Sequence, residues 1–314
     1  MELNELMKKY LSSVKYSVKT RTYIGYHNIF NYYIADTLKN VDLAKISNND
    51  LNNIFVEKYC KNQSVSTSSL KLIKGQINRC LNFGEKQGYI PHFNIDVPIK
   101  TNSRKVEFLS DKEILAIENH ILSRKLYYKY GFLISLYTGL RIGELLALKW
   151  QDIDFENNSL KVNATACDIV FNNQIQHLED KPKTLTSERE IPLTRQLKTL
   201  LKDLKKHSNG DYVISTKKGN RVQVRSYQES FSRLLTKLKI KHYGFHSLRH
   251  TFATRCNIYG MDIKTLSELL GHSSPSITLK VYVHTDIDIK RQALNKVNKK
   301  IKPFVWKAIH FTTY

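Results

Sequence analysis

Cysteine is scarce and scattered. Cys60, Cys80, Cys167 and Cys256 form no Cys-x-x-Cys pair and no metal-like grouping with histidine, which excludes a disulfide framework and a zinc module of ordinary spacing. Reduced thiols in a cytoplasmic protein are the expectation. Long apolar runs are missing as well: nothing approaches the roughly 20 residues that span a bilayer, and Met1-Glu2-Leu3-Asn4-Glu5 lacks the basic-then-apolar opening of a signal peptide. A membrane partner is not expected. Internal repeats and low-complexity tracts are absent too, which excludes a repeat array. Acidic residues are few, with 28 Asp and Glu against 50 Lys and Arg, a formal charge of +22. Such a field draws polyanions, and nucleic acid is the leading candidate because phosphate contacts release counterions. The alternative is a lysine excess that only keeps the chain soluble.

The 314 residues, 41% of them hydrophobic, suffice for two domains with buried cores. The first hundred read as helices. Tyr23, Tyr26, Phe30 and Tyr33 recur at helical spacing between Thr20 and Ile34 and predict one buried face. Leu70, Ile73, Ile77 and Leu81 predict another between Ser69 and Gln87. Lys71, Lys74 and Arg79 fall on other sides of that helix, where they can meet a DNA groove or only water. From Gly88 to Lys105 periodicity stops, Pro91 and Pro98 appear, and Thr101-Asn102-Ser103-Arg104-Lys105 is polar, so this stretch reads as a connection between domains. Ser110 and Glu113 then have the spacing of a capping box. Helical patterns cover 111–123, 126–137 and 141–148, and strand-like pieces occupy 159–166, 168–171 and 189–193. Helices return at 195–206, 226–237, 247–259, 263–270, 277–283 and 286–299. The fold expected is mainly α in two domains: a helical one over 1–98, a linker over 99–107, and a mostly helical one over 108–314 with a small antiparallel β-sheet.

Three stretches of the second domain put polar groups among apolar helices. In Thr138-Gly139-Leu140-Arg141-Ile142-Gly143-Glu144-Leu145 a glycine turn leads into a helix, leaving Arg141 near its start, where free N–H groups favour an anion. A planar guanidinium can hold two phosphate oxygens; the alternative is a pair with Glu144 on the next turn. In His246-Ser247-Leu248-Arg249-His250-Thr251 the spacing of His246 and Arg249 places an imidazole and a cation on one helix face, with a salt bridge and a helix cap as the alternative. In Leu269-Leu270-Gly271-His272-Ser273-Ser274 a helix ends on a left-handed glycine, His272 comes next, and a short helix would carry Tyr282. Tyr282 is one of eighteen tyrosines, and taken singly it is better explained by packing.

In order and content the three stretches resemble the tyrosine recombinase family, which includes phage and conjugative-transposon integrases and the Xer resolvases. The resemblance covers residues from about 106 to 300. It implies a site-specific recombinase or integrase that cleaves and rejoins double-stranded DNA through a 3′-phosphotyrosyl intermediate. Arg141 and Arg249 would clamp the phosphate, His246 would take a proton or a hydrogen bond near the phenol, His272 would donate to the phosphate, and Tyr282 would be the nucleophile. Lys183, chosen over Lys181 in the stretch that ends Ile191-Pro192-Leu193, would be the general acid. Because the linkage conserves bond energy, no cofactor, metal or ATP is implied. The N-terminal domain would be the core-binding, SAM-like DNA-binding domain and the second the catalytic domain. The tail after Tyr282 would dock on a neighbouring copy, giving a homo-tetramer on DNA. Because helices begin almost at Met1, a separate arm-site-binding domain is not expected. The competing expectations are a type IB topoisomerase-like relaxing enzyme and a catalytically silent DNA-binding protein.

Overall fold

Apolar residues at three- and four-residue spacing turn most of the chain into helix, and the fold is mainly α. The computed structural model describes residues 1–61, 64–100, 107–171, 174–180, 188–272 and 274–276. The chain divides into two units, Met1–Arg104 with Ile169–Gln176, and Lys105–Asp168 with His177–Tyr314.

The first unit is built on α1 (Leu3–Val14), α2 (Thr20–Ile29), α3 (Asn48–Phe55) and α4 (Thr67–Lys86). Helix α1 buries Leu3, Leu6 and Met7 against Ile73, Ile77 and Leu81 of α4. Two N-termini are closed by serine: Ser47 forms a capping box with Asp50, and Ser66 accepts from the Ser69 N–H. The aromatic face expected on α2 is displaced. Residues Phe30–Ile34 form a π turn, in which the Ala35 N–H reaches back five residues to the Phe30 carbonyl at 2.8 Å. The extra residue in the turn shifts the buried face, so Ile34 rather than Tyr33 enters the core after Phe30, and Tyr33 is exposed. From the end of α4 to residue 100 the chain has no regular structure, yet Ile90, Phe93 and Ile95 are buried. Asn78 holds this stretch by donating to the Ile95 carbonyl and accepting from its N–H. The start of the stretch predicted to connect domains is thus part of the first core.

In the second unit α5 (Asp111–Ser123) opens on the predicted capping box of Ser110 and Glu113. Helix α6 (Tyr130–Thr138) is buried along its whole length except for Tyr137 and forms the centre of the core. Each of its large side chains contributes roughly 1.5–3 kcal/mol by leaving water. Phe132 packs at 4.8 Å on Tyr227 and at 5.2 Å on Phe231, both from α9 (Val224–Lys237). Around α6 lie α7 (Ile142–Ala147), α8 (Arg195–Lys205), α10 (His246–Ile258) and α11 (Ile263–Leu270). Among the described residues the small sheet expected is divided into two. Strands β1 (Ile153–Asp154), β2 (Ser159–Val162) and β5 (Arg189–Pro192) form an antiparallel sheet in the order β1-β2-β5, and β3 (Thr165–Phe171) pairs with β4 (Gln174–Asp180). The strand predicted across 159–166 breaks at Asn163-Ala164, and β4 matches no strand expected from the pattern of residues. The helices expected at 277–283 and 286–299 lie outside the described residues. No helix among the described residues is long and apolar enough to cross a membrane.

Candidate active site

The site is assembled around the end of α11. Gly271 takes the left-handed conformation (φ +64°), and the turn closes as a Schellman motif: the His272 N–H bonds the Ser267 carbonyl at 3.1 Å and the Gly271 N–H bonds that of Glu268 at 2.9 Å. The carbonyls of Leu269, Leu270 and Gly271 remain at the negative end of the helix, a place that favours cations. Three guanidinium groups take them. Arg189 Nε donates to Leu269 O at 2.6 Å, Arg249 Nη2 to Leu270 O at 2.7 Å, and Arg141 Nη2 to Gly271 O at 3.3 Å. Arg141 Nη1 lies a further 3.4 Å from Leu270 O, so Arg141 and Arg249 share one acceptor.

Among the described residues, one carboxylate sits between these cations. Glu144 caps α7 by accepting from the Arg141 N–H at 2.9 Å, pairs with Arg141 Nη1 at 2.7 Å, and takes the fork of Arg189 at 2.8 and 3.2 Å. Burial alone would push this carboxyl up. The hydrogen bonds and charge of Arg189, and then those of Arg141, overrule burial and hold it at about 2. The anion at the start of α7 is therefore the chain's own Glu144. Arg141 forms the pair that the sequence left open as an alternative, and it still keeps 37% of its side chain exposed, against 6% for Arg189 and 1% for Arg249. Arg141 is the guanidinium that faces solvent. Arg249 lies beneath it, with Nη1 also bound to Gly139 O at 2.9 Å. Gly139 has φ +70°, and a Cβ there would come within 2.6 Å of Phe252, so the turn that accepts from Arg249 requires glycine.

Histidines border the cluster. His246 begins α10, its ring set edge-on to that of His250 at 4.5 Å. His272 comes directly after Gly271 and is half-buried. Desolvation first, then the charges of Arg249, Arg141 and Arg189, lowers His272 to about 4. His246 is shifted the same way by desolvation, His250 and the arginines, with Glu144 opposing. Both imidazoles are neutral at neutral pH and can donate at one nitrogen and accept at the other. Because the native state disfavours protonation of His272, stability is full above the ordinary histidine value of 6.5 and drains away as the pH falls through about 4. The thermal midpoint is therefore expected to drop on acidification across that window, and less steeply in His272→Gln. A midpoint that stays level or rises would contradict the cause given.

Of the six residues expected to act, the structure brings Arg141, His246, Arg249 and His272 together; Lys183 and Tyr282 lie outside the described residues. Arg189 joins them unannounced. The signal was available: on β5 it shares with the buried Ile191 the side of the strand that Glu190 does not, and an arginine in phase with a core residue needs a partner. In the first unit the candidate DNA contacts differ from one another. Lys71 is exposed, Lys74 is tied to the Val97 carbonyl at 3.0 Å, and Arg79 lies 4.7 Å over the Tyr26 ring while donating to Gln76.

Among the described residues, three guanidinium groups face one carboxylate, an excess of positive charge at this spot. A diester phosphate carries one negative charge and gathers a second as a nucleophile adds to phosphorus, so the site matches the crowded intermediate state better than the resting one. Comparison with known proteins places the chain in a family. A model described as the phage integrase family matches residues 107–288, and one described as the phage integrase N-terminal SAM-like domain matches residues 2–60. A tyrosine recombinase XerC-like protein of Caldanaerobacter subterraneus subsp. tengcongensis is 29% identical over 94% of this chain and 82% of its own. The integrase of Staphylococcus phage L54a is 27% identical over 64% of this chain and 62% of its own. The fold is similar to the Tn1549 transposon integrase in complex with transposon right end DNA, with a TM-score of 0.80 and 23% identity over 95% of this chain and all of that one.

Proposed function

Since this chain belongs to the phage integrase family, we propose that it is a site-specific recombinase that cuts and rejoins double-stranded DNA through a covalent bond between Tyr282 and a backbone phosphorus. The phenolic oxygen of Tyr282 adds to the phosphorus as the bond to the 5′ oxygen breaks. The phenol proton passes to a neutral imidazole, His246, and the departing 5′ oxygen takes a proton from Lys183. Arg141 and Arg249 neutralise the charge that grows on the non-bridging oxygens, and His272 donates to one of them. A 5′-hydroxyl from a second strand then reverses each step, reforming the diester and returning the proton to Tyr282. The phosphotyrosyl bond conserves the energy of the diester, so the cycle needs no cofactor and no nucleotide.

The observation that carries this reading is the excess of guanidinium charge at the end of α11, flanked by neutral imidazoles. In the same reading Lys71, Lys74 and Arg79 of α4 meet the duplex at its phosphates, and the tail after Tyr282 docks on a neighbouring copy so that four copies assemble on DNA. The test uses plasmids with and without two copies of the DNA that flanks this reading frame. Detergent-resistant protein–DNA adducts and recombinant circles are expected only where the flanking DNA is present. Equal relaxation of both plasmids without recombinants would indicate a topoisomerase, and retention of DNA without adduct a binding protein.

A further inference from the structure

We propose that Arg189 is a positioning residue of this site, which pins Glu144 and the last turn of α11 and so fixes where Arg141, Arg249 and His272 meet a DNA phosphate. The inference rests on the reading of the site as one that cleaves DNA. One buried side chain ties three elements together. From β5 its two terminal nitrogens fork onto the Glu144 carboxylate on α7, at 2.8 and 3.2 Å, and its Nε reaches the Leu269 carbonyl of α11 at 2.6 Å. The next two carbonyls, those of Leu270 and Gly271, are the acceptors that orient Arg249 and Arg141. Any shift of this turn therefore carries both phosphate clamps and His272 with it. The fit is close: a Cβ at Gly271 would lie 2.8 Å from Arg189 Nη1.

Charge balance gives Arg189 a second hold on the site. Glu144 is faced by Arg141 at the start of its own helix, by Arg189 from β5 and by His246 from α10. With Arg189 in place, half of the carboxylate's demand is met from below, and Arg141 keeps exposed surface for a phosphate. Without it the buried carboxylate draws Arg141 fully into the pair, and the outward guanidinium is lost to DNA. Lysine is a poor substitute, because one ammonium cannot span both carboxylate oxygens and the Leu269 carbonyl as a planar fork does.

The experiment compares full-length wild type with Arg189→Met, Arg189→Lys and the double variant Arg189→Met/Glu144→Gln. Two quantities are read: the pH-dependent rate of detergent-resistant adduct formation on a nicked duplex made from the flanking DNA, and the titration of the Glu144 carboxyl by carbon NMR. Arg189→Met is expected to slow the adduct by about 100-fold, the scale of a misplacement of about 1 Å. DNA affinity should stay within about threefold, since many phosphate contacts supply it. Arg189→Lys should slow the step by about tenfold, and the double variant should regain about tenfold over Arg189→Met because the stranded carboxylate is gone. The Glu144 midpoint should climb by about one unit or more in Arg189→Met. A merely structural loss would leave the double variant as slow as Arg189→Met, because taking away the carboxylate restores no packing. An adduct rate within about twofold of wild type, an unmoved carboxyl midpoint, or no gain in the double variant would each overturn the proposal. Should Arg189→Met fail to fold, Arg189→Lys carries the same comparisons. A wild type that forms no adduct would remove the recombinase reading itself, and the carboxyl titration alone would then show whether Arg189 holds Glu144.

Discussion

Tyr282→Phe is expected to lower covalent attachment to a nicked duplex by more than about a thousandfold, because no other group replaces the lost nucleophilic oxygen. DNA affinity should change by less than about twofold, since it arises from many phosphate contacts of a chain with formal charge +22. The substitution removes one hydroxyl and leaves Arg141, Arg249, His246 and His272 in place. Binding and chemistry are therefore separated by a single atom. Denaturing gels of end-labelled duplex read the adduct, and mobility shifts under native conditions read the affinity. Adduct at wild-type levels in Tyr282→Phe would remove the nucleophile assignment.

The second large effect concerns stability. Glu144 is 6% exposed and faces two guanidinium groups, one of which is as buried as itself. Glu144→Ala strands Arg189 in the interior, and breaking a buried pair from one side costs about 3–5 kcal/mol. Each kcal/mol corresponds to roughly 2–4 °C in the melting temperature of a unit of this size. Glu229→Ala is the control: its partners Arg225 and Arg233 are exposed, and loss of such a surface pair is expected to change stability by less than about 1 kcal/mol. Chemical denaturation of the two variants against wild type checks both values. Equal losses for the two would contradict the claim that Glu144 and Arg189 form a buried pair.

The sequence showed the site better than it showed what supports the site. Gly139, Arg141, Glu144, His246, Arg249, Gly271 and His272 lie in three short stretches in which local rules decide geometry: a left-handed glycine, a helix start and a three-residue spacing on one face. Such rules act within a turn or two of chain and can be read without knowing the fold. Arg189 obeys no local rule. Its partners Glu144 and Leu269 stand 45 and 80 residues away, and only the β2–β5 pairing, with Val162 opposite Arg189, brings it against them. The structure likewise places Arg249 deeper than its expected role suggested, held by carbonyls from two turns that the sequence could not place side by side.

The same division holds in the core. Helices α5, α8 and α11 fall where apolar spacing puts them, because their buried faces keep a simple period. The α2 face does not, since a π turn changes the period within the helix and exchanges Tyr33 for Ile34. The break between β2 and β3 and the whole of β4 were also invisible, for strands of four to seven residues are set by their neighbours more than by their own pattern.

The central claim is that a phenolic oxygen near the C-terminal end of the chain attacks a phosphorus held at the end of α11. Its most direct measurement is mass spectrometry of the adduct trapped on a nicked duplex, after digestion with protease and nuclease. The expected result is a nucleotide remnant on the peptide that contains Tyr282, joined through a 3′ phosphate. A remnant on any other side chain, or one joined through a 5′ phosphate, would contradict it.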